Sequence, residues 1–134
     1  MWYEVEKTGQ LESCMLFAEV RVPADSHWFC GHFPGEPILP GIAQLGMVYD
    51  LLARAADPKR PIKSVSRVRF KQAIRPDDRL KIFASFRKEE VDSYSFRIMI
   101  EEEVVCSGVM TLQGAPDRAV LTGSDFRRET CGES

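Results

Sequence analysis

Four segments in the second half of this chain alternate apolar and polar residues with a period of two, and this pattern constrains the fold most strongly. Their apolar positions are Val68, Phe70 and Ile74; Leu80, Ile82, Ala84 and Phe86; Tyr94, Phe96, Ile98 and Ile100; and Val104, Cys106, Met110 and Leu112. Because successive side chains of a strand point to opposite faces, such alternation is typical of an antiparallel sheet with one covered face. The sequence therefore predicts a four-strand antiparallel meander.

An apolar helix and one further strand precede these segments. Pro40 and Gly41 begin a predicted helix that runs to about Ala56, since proline is favoured in a first helical turn. Its side chains are apolar nearly all round, which is typical of a buried helix; one face carries Ile42, Leu45, Tyr49, Leu52 and Ala56, and the other Met47, Val48 and Leu51. Residues 12–22 predict a strand, ended by Pro23. Wrapping the sheet around the helix buries both apolar surfaces, so we expect an α+β fold with a central buried helix.

The length and composition of the chain fit one domain with a hydrophobic core. It has 134 residues, of which 44% are hydrophobic, and this length argues against two domains. The periodicity ends near Gly114, after which glycine, proline and serine occur among charged residues. We therefore predict a single domain over residues 1–113 and a flexible C-terminal tail over residues 114–134.

Charge and apolar content indicate a cytoplasmic protein that binds no nucleic acid. Lys and Arg total 18 against 20 acidic residues, the net charge is −2, and the basic residues are scattered, unlike those of a phosphate-binding surface. The most apolar stretch, residues 38–56, is interrupted by polar residues and glycines, so no membrane span is expected. Residues 1–7 lack the basic-then-apolar order of a signal peptide.

The cysteines give no sign of a metal site. Cys14, Cys30, Cys106 and Cys131 form no C-x-x-C pair, and the chain has two histidines, so we expect reduced thiols and no zinc. Cys30 lies two residues before His32, a spacing that fits a nucleophile pair, although a buried apolar filler is the favoured interpretation. Neither a G-x-G-x-x-G nor a P-loop pattern occurs, so no nucleotide cofactor is predicted.

The segment from Gly31 to Gly41 carries the candidate chemistry. It places His32 in a loop rich in proline and glycine, nine residues before Gly41 at the predicted helix start. Histidine suits proton transfer near neutral pH, and free N–H groups at a helix N-terminus stabilise a developing oxyanion. A base and an oxyanion hole are the minimum for removing a proton alpha to a thioester carbonyl. A structural histidine is the alternative, and His27 is a weaker candidate because no helix terminus follows it closely.

Two motifs resemble those of the beta-hydroxyacyl-carrier-protein dehydratases of fatty-acid synthesis. The run His32-Phe33-Pro34-Gly35-x-Pro37-Ile38-Leu39-Pro40-Gly41 is similar to the family signature H-F-P-G-x-P-I-M-P-G. The run from Val68 to Leu80 resembles the family's strand and turn, with Asp77 where glycine is usual. The resemblance covers residues 12–113.

The resemblance implies a hotdog fold and a homodimer, or a higher oligomer of dimers, with sites in tunnels at the dimer interface. The acyl group would arrive on the phosphopantetheine of an acyl carrier protein or as a CoA thioester, with no other cofactor. His32 would be the base, the Gly41 amide would polarise the thioester carbonyl, and the Ile38 carbonyl would orient the imidazole. The implied substrate-binding residues are Phe33, Pro34, Gly35, Ile38, Pro40 and Gly46.

One position departs from the family pattern. The second catalytic group is usually a Glu or Asp five residues after the Gly41 position, and this chain has Gly46 there. Asp50, one helical turn further on the same face, is the candidate replacement, and a solvated or interface carboxylate is the alternative. Gln44 lies about 200° around the helix from position 46 and is a poorer candidate. A third option is His32 acting as both base and acid.

Three functions fit this sequence. The first is a 3-hydroxyacyl-thioester dehydratase or hydratase, in which His32 and Gly41 act on the alpha proton and Asp50, water or His32 protonates the hydroxyl. The second is a thioesterase on the same scaffold, and the third is a non-catalytic acyl-binding or heterodimer-partner subunit. The dehydratase ranks first because the base, the loop and the oxyanion amide are all present.

Overall fold

The computed structural model describes residues 2–11, 15–29, 37–55 and 60–114. These contain, in chain order, β1 (Glu4–Leu11), β2 (Met15–Arg21), a 3-10 turn (His27–Phe29), α1 (Gly41–Ala55), β3 (Ile62–Phe70), β4 (Arg79–Phe86), β5 (Ser93–Ile100) and β6 (Glu103–Leu112). The predicted tail beyond residue 114 and the stretch 30–36 around His32 lie outside the described residues. The predicted start of the helix at Gly41 is confirmed.

The strands form one sheet in the order β1-β2-β4-β5-β6-β3, and every neighbouring pair is antiparallel. The predicted four-strand meander is therefore wrong for its first strand, because β3 pairs with β6 and not with β4. The reason is that β2 occupies the other side of β4, in a continuous register from Met15 opposite Ser85 to Arg21 opposite Arg79. Only β4, β5 and β6 form a meander.

The first strand, β1, was not predicted from the sequence. Its residues are exposed except Val5, which is half-buried. An edge strand that buries almost nothing has no apolar alternation to reveal it, and the segment from Glu4 to Leu11 is mostly polar. Hydrogen bonding to β2 holds it in place.

The predicted apolar face of the third strand is also wrong. β3 ends at Phe70, whose side chain is 51% exposed, whereas Ile74 follows the strand and is fully buried. The register with β6 shifts between Ser66 and Arg69, and Arg67 has a positive φ of 55°. Such a bulge disturbs the alternation on which the prediction relied.

The central helix buries one side against the sheet. It packs on β2 and β4, and the buried side chains are Ala43, Gln44, Met47, Val48, Leu51 and Leu52. Ile42 is 73% exposed, so the expectation of burial all round is wrong. The α+β class and the packing of an antiparallel sheet on one central helix are confirmed.

The alternation within the later strands is confirmed where it faces the helix. Leu80, Ile82 and Ala84 of β4 are buried, and Phe96 and Ile98 of β5 lie beside them. The sheet thereby supplies one wall of the core and the helix supplies the other, with the helix N-terminus left at the edge of that core.

Candidate active site

The first turn of α1 presents unpaired backbone donors. The Pro40 carbonyl accepts hydrogen bonds from the N–H groups of Ala43 at 3.1 Å and Gln44 at 3.2 Å. Within the described parts of the chain, the N–H groups of Gly41 and Ile42 have no acceptor. Orphan donors at the positive end of a helix dipole favour a negatively charged oxygen.

The glycine at position 41 is required by the close approach of an aromatic ring. A Cβ atom built on Gly41 would lie 2.6 Å from Cζ of Phe70, nearer than real Cβ contacts. Phe70 is the last residue of β3 and its ring remains half-exposed. The ring therefore covers the first helical turn on the side where any larger residue would project.

A buried carboxamide holds the chain just before this turn. Gln44 is 4% exposed, and its Nε2 donates to the Leu39 carbonyl at 3.1 Å. The Leu39 N–H in turn donates to the Ile74 carbonyl at 2.8 Å. Oε1 of Gln44 is buried and accepts no hydrogen bond from the residues described. From the sequence, Gln44 was only a poor candidate to replace the missing acid. A polar residue on the buried face of α1 was the signal that could have indicated its role in bracing the turn.

Position 46 is open. A Cβ atom built on Gly46 would meet nothing within 4 Å. The residue therefore does not serve a close approach within the described protomer. The described residues leave room for a side chain or a bound group at this point of the helix.

Asp50 is not a free carboxylate, because a tyrosine from the N-terminal segment binds it. The hydroxyl of Tyr3 donates to Oδ2 of Asp50 at 2.6 Å. Tyr3 is 4% exposed, and burial, followed by the hydrogen bond and negative charge of Asp50, raises the pKa of the phenol well above its ordinary value; the charge of Arg54 lowers it. The phenol thus stays protonated and remains a donor.

Aromatic packing fixes this tyrosine. The Trp2 ring lies edge-on to Tyr3, with centroids 4.7 Å apart, and edge-on to Trp28, with centroids 5.8 Å apart. Trp28 belongs to the 3-10 turn and also contacts the ring of His27, which is exposed. No role for Tyr3 was predicted from the sequence, since a contact between residues 47 positions apart leaves no local pattern.

The structure places five of the nine predicted site residues. Ile38 and Pro40 are half-buried before the helix, Gly41 begins it, and Gly46 and Asp50 lie one turn apart, on the same helix face. The other four, His32, Phe33, Pro34 and Gly35, lie outside the described residues, so their roles stay predictions.

Two further features concern metals and membranes. Within residues 2–11, 15–29, 37–55 and 60–114, no group of three His, Cys, Asp or Glu side chains gathers as metal ligands. In the same ranges, no helix has the length and apolar character needed to cross a membrane.

Sequence comparison relates this chain to acyl-thioester dehydratases. A family described as ApeI-like, ApeI dehydratase, matches residues 8–109. The FabZ 3-hydroxyacyl-[acyl-carrier-protein] dehydratase of Mannheimia succiniciproducens is 30% identical over 105 residues, which are 71% of this chain and 70% of the relative. The FabZ of Caldicellulosiruptor saccharolyticus is 34% identical over 97 residues, which are 66% and 69%.

Structural comparison identifies the fold. The ApeI:P dehydratase heterocomplex of Xenorhabdus doucetiae superposes with a TM-score of 0.76 at 22% identity, covering 85% of this chain and all of that chain. The fluoroacetyl-CoA-specific thioesterase FlK superposes with a TM-score of 0.59 at 16% identity, covering 75% of this chain and 91% of that one. At these identities the likeness shows the fold alone, and the predicted hotdog fold is confirmed.

Proposed function

This chain belongs to the ApeI-like dehydratase family, and we propose that it dehydrates 3-hydroxyacyl thioesters to 2-enoyl thioesters and catalyses the reverse hydration. The observation that carries the proposal is the pair of N–H donors at the start of α1, those of Gly41 and Ile42, for which no described residue supplies an acceptor. Removing the proton at C2 puts negative charge on the thioester oxygen, and preorganised N–H donors stabilise that charge in the transition state. The Phe70 ring lies against Gly41 at this turn.

His32 is the proposed base. The motif places it nine residues before Gly41, and imidazole has a proton affinity matched to neutral pH. It takes the C2 proton, and the electron pair moves into the enolate held by Gly41. The pair then returns, the C2–C3 double bond forms, and the C3–O bond breaks.

The departing hydroxyl needs a proton, and Asp50 is the proposed donor. Position 46 holds no carboxyl group, and Asp50 follows one turn later. A general acid contributes on the order of a hundred- to ten-thousand-fold to such a step. Asp50 gives its proton to the hydroxyl, water leaves, and the proton on His32 returns to Asp50 through solvent, which restores both groups for the next cycle. No metal or nucleotide is needed for these proton transfers.

The proposed substrate is an acyl group carried by phosphopantetheine. The FabZ relatives are dehydratases of acyl groups on the acyl carrier protein, and this supports the same carrier here, with CoA as the alternative. The Xenorhabdus relative is a heterocomplex. We propose that this chain acts as a dimer, or an oligomer of dimers, formed with itself or with a second hotdog chain.

The test is the hydration of a short enoyl thioester by the purified protein. Addition of water destroys the conjugated thioester absorbance, so its loss reports the reaction. We expect loss with wild type and at least a hundredfold slower loss with His32→Ala. A measurement of free thiol in the same samples separates hydration from hydrolysis, and steady release of thiol would make the protein a thioesterase.

A non-catalytic partner subunit is the second candidate, and Gly46 favours it. The position that carries the acid in related enzymes has no side chain here, and it has room for one. If wild type is a folded dimer that neither hydrates nor hydrolyses the thioester, Gly46→Glu distinguishes the two explanations. Gain of hydration by Gly46→Glu would identify a scaffold that has lost only its acid.

A further inference from the structure

Tyr3 has no part in the proposed function, yet its side chain makes a hydrogen bond to Asp50. Its hydroxyl lies 2.6 Å from Oδ2. We propose that Tyr3 is a positioning residue which selects the oxygen of Asp50 that carries the transferable proton. The proposal rests on the dehydratase function and on Asp50 as its acid.

The direction of the hydrogen bond determines where the proton sits. A protonated carboxyl group has one O–H donor and one carbonyl-type acceptor oxygen. The Tyr3 hydroxyl donates to Oδ2, so this oxygen is already occupied as an acceptor. The inferred acid form of Asp50 therefore carries its proton on Oδ1, the oxygen that Tyr3 leaves for the substrate.

The tyrosine keeps this role throughout the working pH range. Burial raises the pKa of its phenol, and the hydrogen bond to Asp50 raises it further. The phenol therefore keeps its proton, and remains a donor, across this range. The Trp2 ring on one side and the near-complete burial of Tyr3 keep the phenol in one place.

The described residues leave space for a substrate hydroxyl beside Asp50. Position 46 lies one turn earlier on the same face, and no described atom lies within 4 Å of a Cβ placed there. Arg54 lies one turn later on α1, and its charge acts on the phenol of Tyr3.

The test is the steady-state kinetics of dehydration in Tyr3→Phe. The change removes the hydroxyl that binds Oδ2 of Asp50 and keeps the aromatic ring. The carboxyl group is then less well positioned for proton transfer, so we expect a decrease in kcat of about tenfold and a change in KM of less than about twofold.

Tyr49→Phe is the matched control. It removes the same hydroxyl from another tyrosine, which donates to the Arg60 carbonyl at 2.8 Å. Its kcat and KM are expected to match those of wild type. A second test of the same bond replaces Tyr3 with 3-fluorotyrosine, which keeps the ring and the hydroxyl donor, so kcat is expected to stay within about twofold of the wild-type value.

The outcomes separate the inference from the function. If wild type dehydrates the substrate and Asp50→Asn is fully active, Asp50 is not the acid and the inference fails while the function stands. If Asp50→Asn is inactive but Tyr3→Phe leaves kcat as in wild type, or lowers it no more than Tyr49→Phe does, the inference alone is overturned. If wild type does not dehydrate any 3-hydroxyacyl thioester, both fail.

Discussion

The ring of Phe70 occupies the volume that a side chain at position 41 would need. The ideal Cβ position of Gly41 is 2.6 Å from Cζ of Phe70 and 3.1 Å from two further ring atoms. The end of an edge strand and the start of the central helix are therefore in contact through a glycine and an aromatic ring. This contact covers the turn whose N–H groups are proposed to hold the thioester oxygen.

Gly41→Ala is expected to destabilise the protein slightly. The added methyl group overlaps the end of the Phe70 ring, which is half-exposed and can turn aside, so the cost is expected to stay at or below about 1 kcal/mol. Urea unfolding measures the cost. The matched double variant Gly41→Ala, Phe70→Ala removes the obstacle and is expected to regain most of that stability. An equal loss in the single and double variants would show that Phe70 is not the obstacle.

Gly46→Ala is expected to stabilise the protein. Its Cβ meets no described atom, and alanine is about 1 kcal/mol better than glycine inside a helix. Gly108→Ala is the control, because a Cβ there would lie 2.8 Å from the Phe96 ring and 3.2 Å from the Ser66 carbonyl. Thermal unfolding should rank Gly46→Ala above wild type and Gly108→Ala below it. A destabilised Gly46→Ala would mean that another chain already fills the space.

Gln44→Met tests the brace before the helix. Methionine keeps the length of the side chain but removes two polar groups. One is Nε2, which donates to the Leu39 carbonyl, and the other is Oε1, which is buried and has no described partner. The two losses offset each other, so stability is expected to change by less than about 1 kcal/mol. The turn is then less well positioned, and kcat is expected to fall on the order of tenfold. Unchanged kcat in Gln44→Met would contradict the bracing role.

The buried thiol of Cys106 makes the free energy of unfolding depend on pH in the alkaline range. Burial raises the pKa of its thiol from 9.0 to about 11. Between these values the thiol ionises in the unfolded chain but keeps its proton in the folded one. The folded state then binds more protons, so this contribution lowers stability as pH rises from 9 towards 11. Cys106→Ala is expected to reduce the slope of unfolding free energy against pH in this window, and an unchanged slope would argue against a buried neutral thiol.

The strands that face the helix were predictable because burial of one face leaves a period of two. Leu80, Ile82 and Ala84 show the pattern and the burial together. The helix start was predictable because Pro40 and Gly41 mark it locally. These features depend on neighbours in sequence.

The remaining features depend on partners far away in sequence. The position of β3 beside β6 follows from competition between strands for the edge of β4, and no segment records that competition by itself. The Tyr3–Asp50 bond joins residues 47 positions apart. The Phe70–Gly41 contact likewise joins a strand to a helix. Motif similarity indicated Gly41 as a site residue, but only the structure shows what covers it.

The most direct test of this account is the mass of an acyl carrier protein loaded with a 3-hydroxyacyl group, measured after incubation with the purified wild-type protein. The account predicts that the acyl group loses one water, that the conjugated enoyl absorbance appears with it, and that His32→Ala produces neither change. A carrier that keeps its hydroxyacyl group unaltered, or that is returned with a free thiol, would contradict the assignment of a dehydratase.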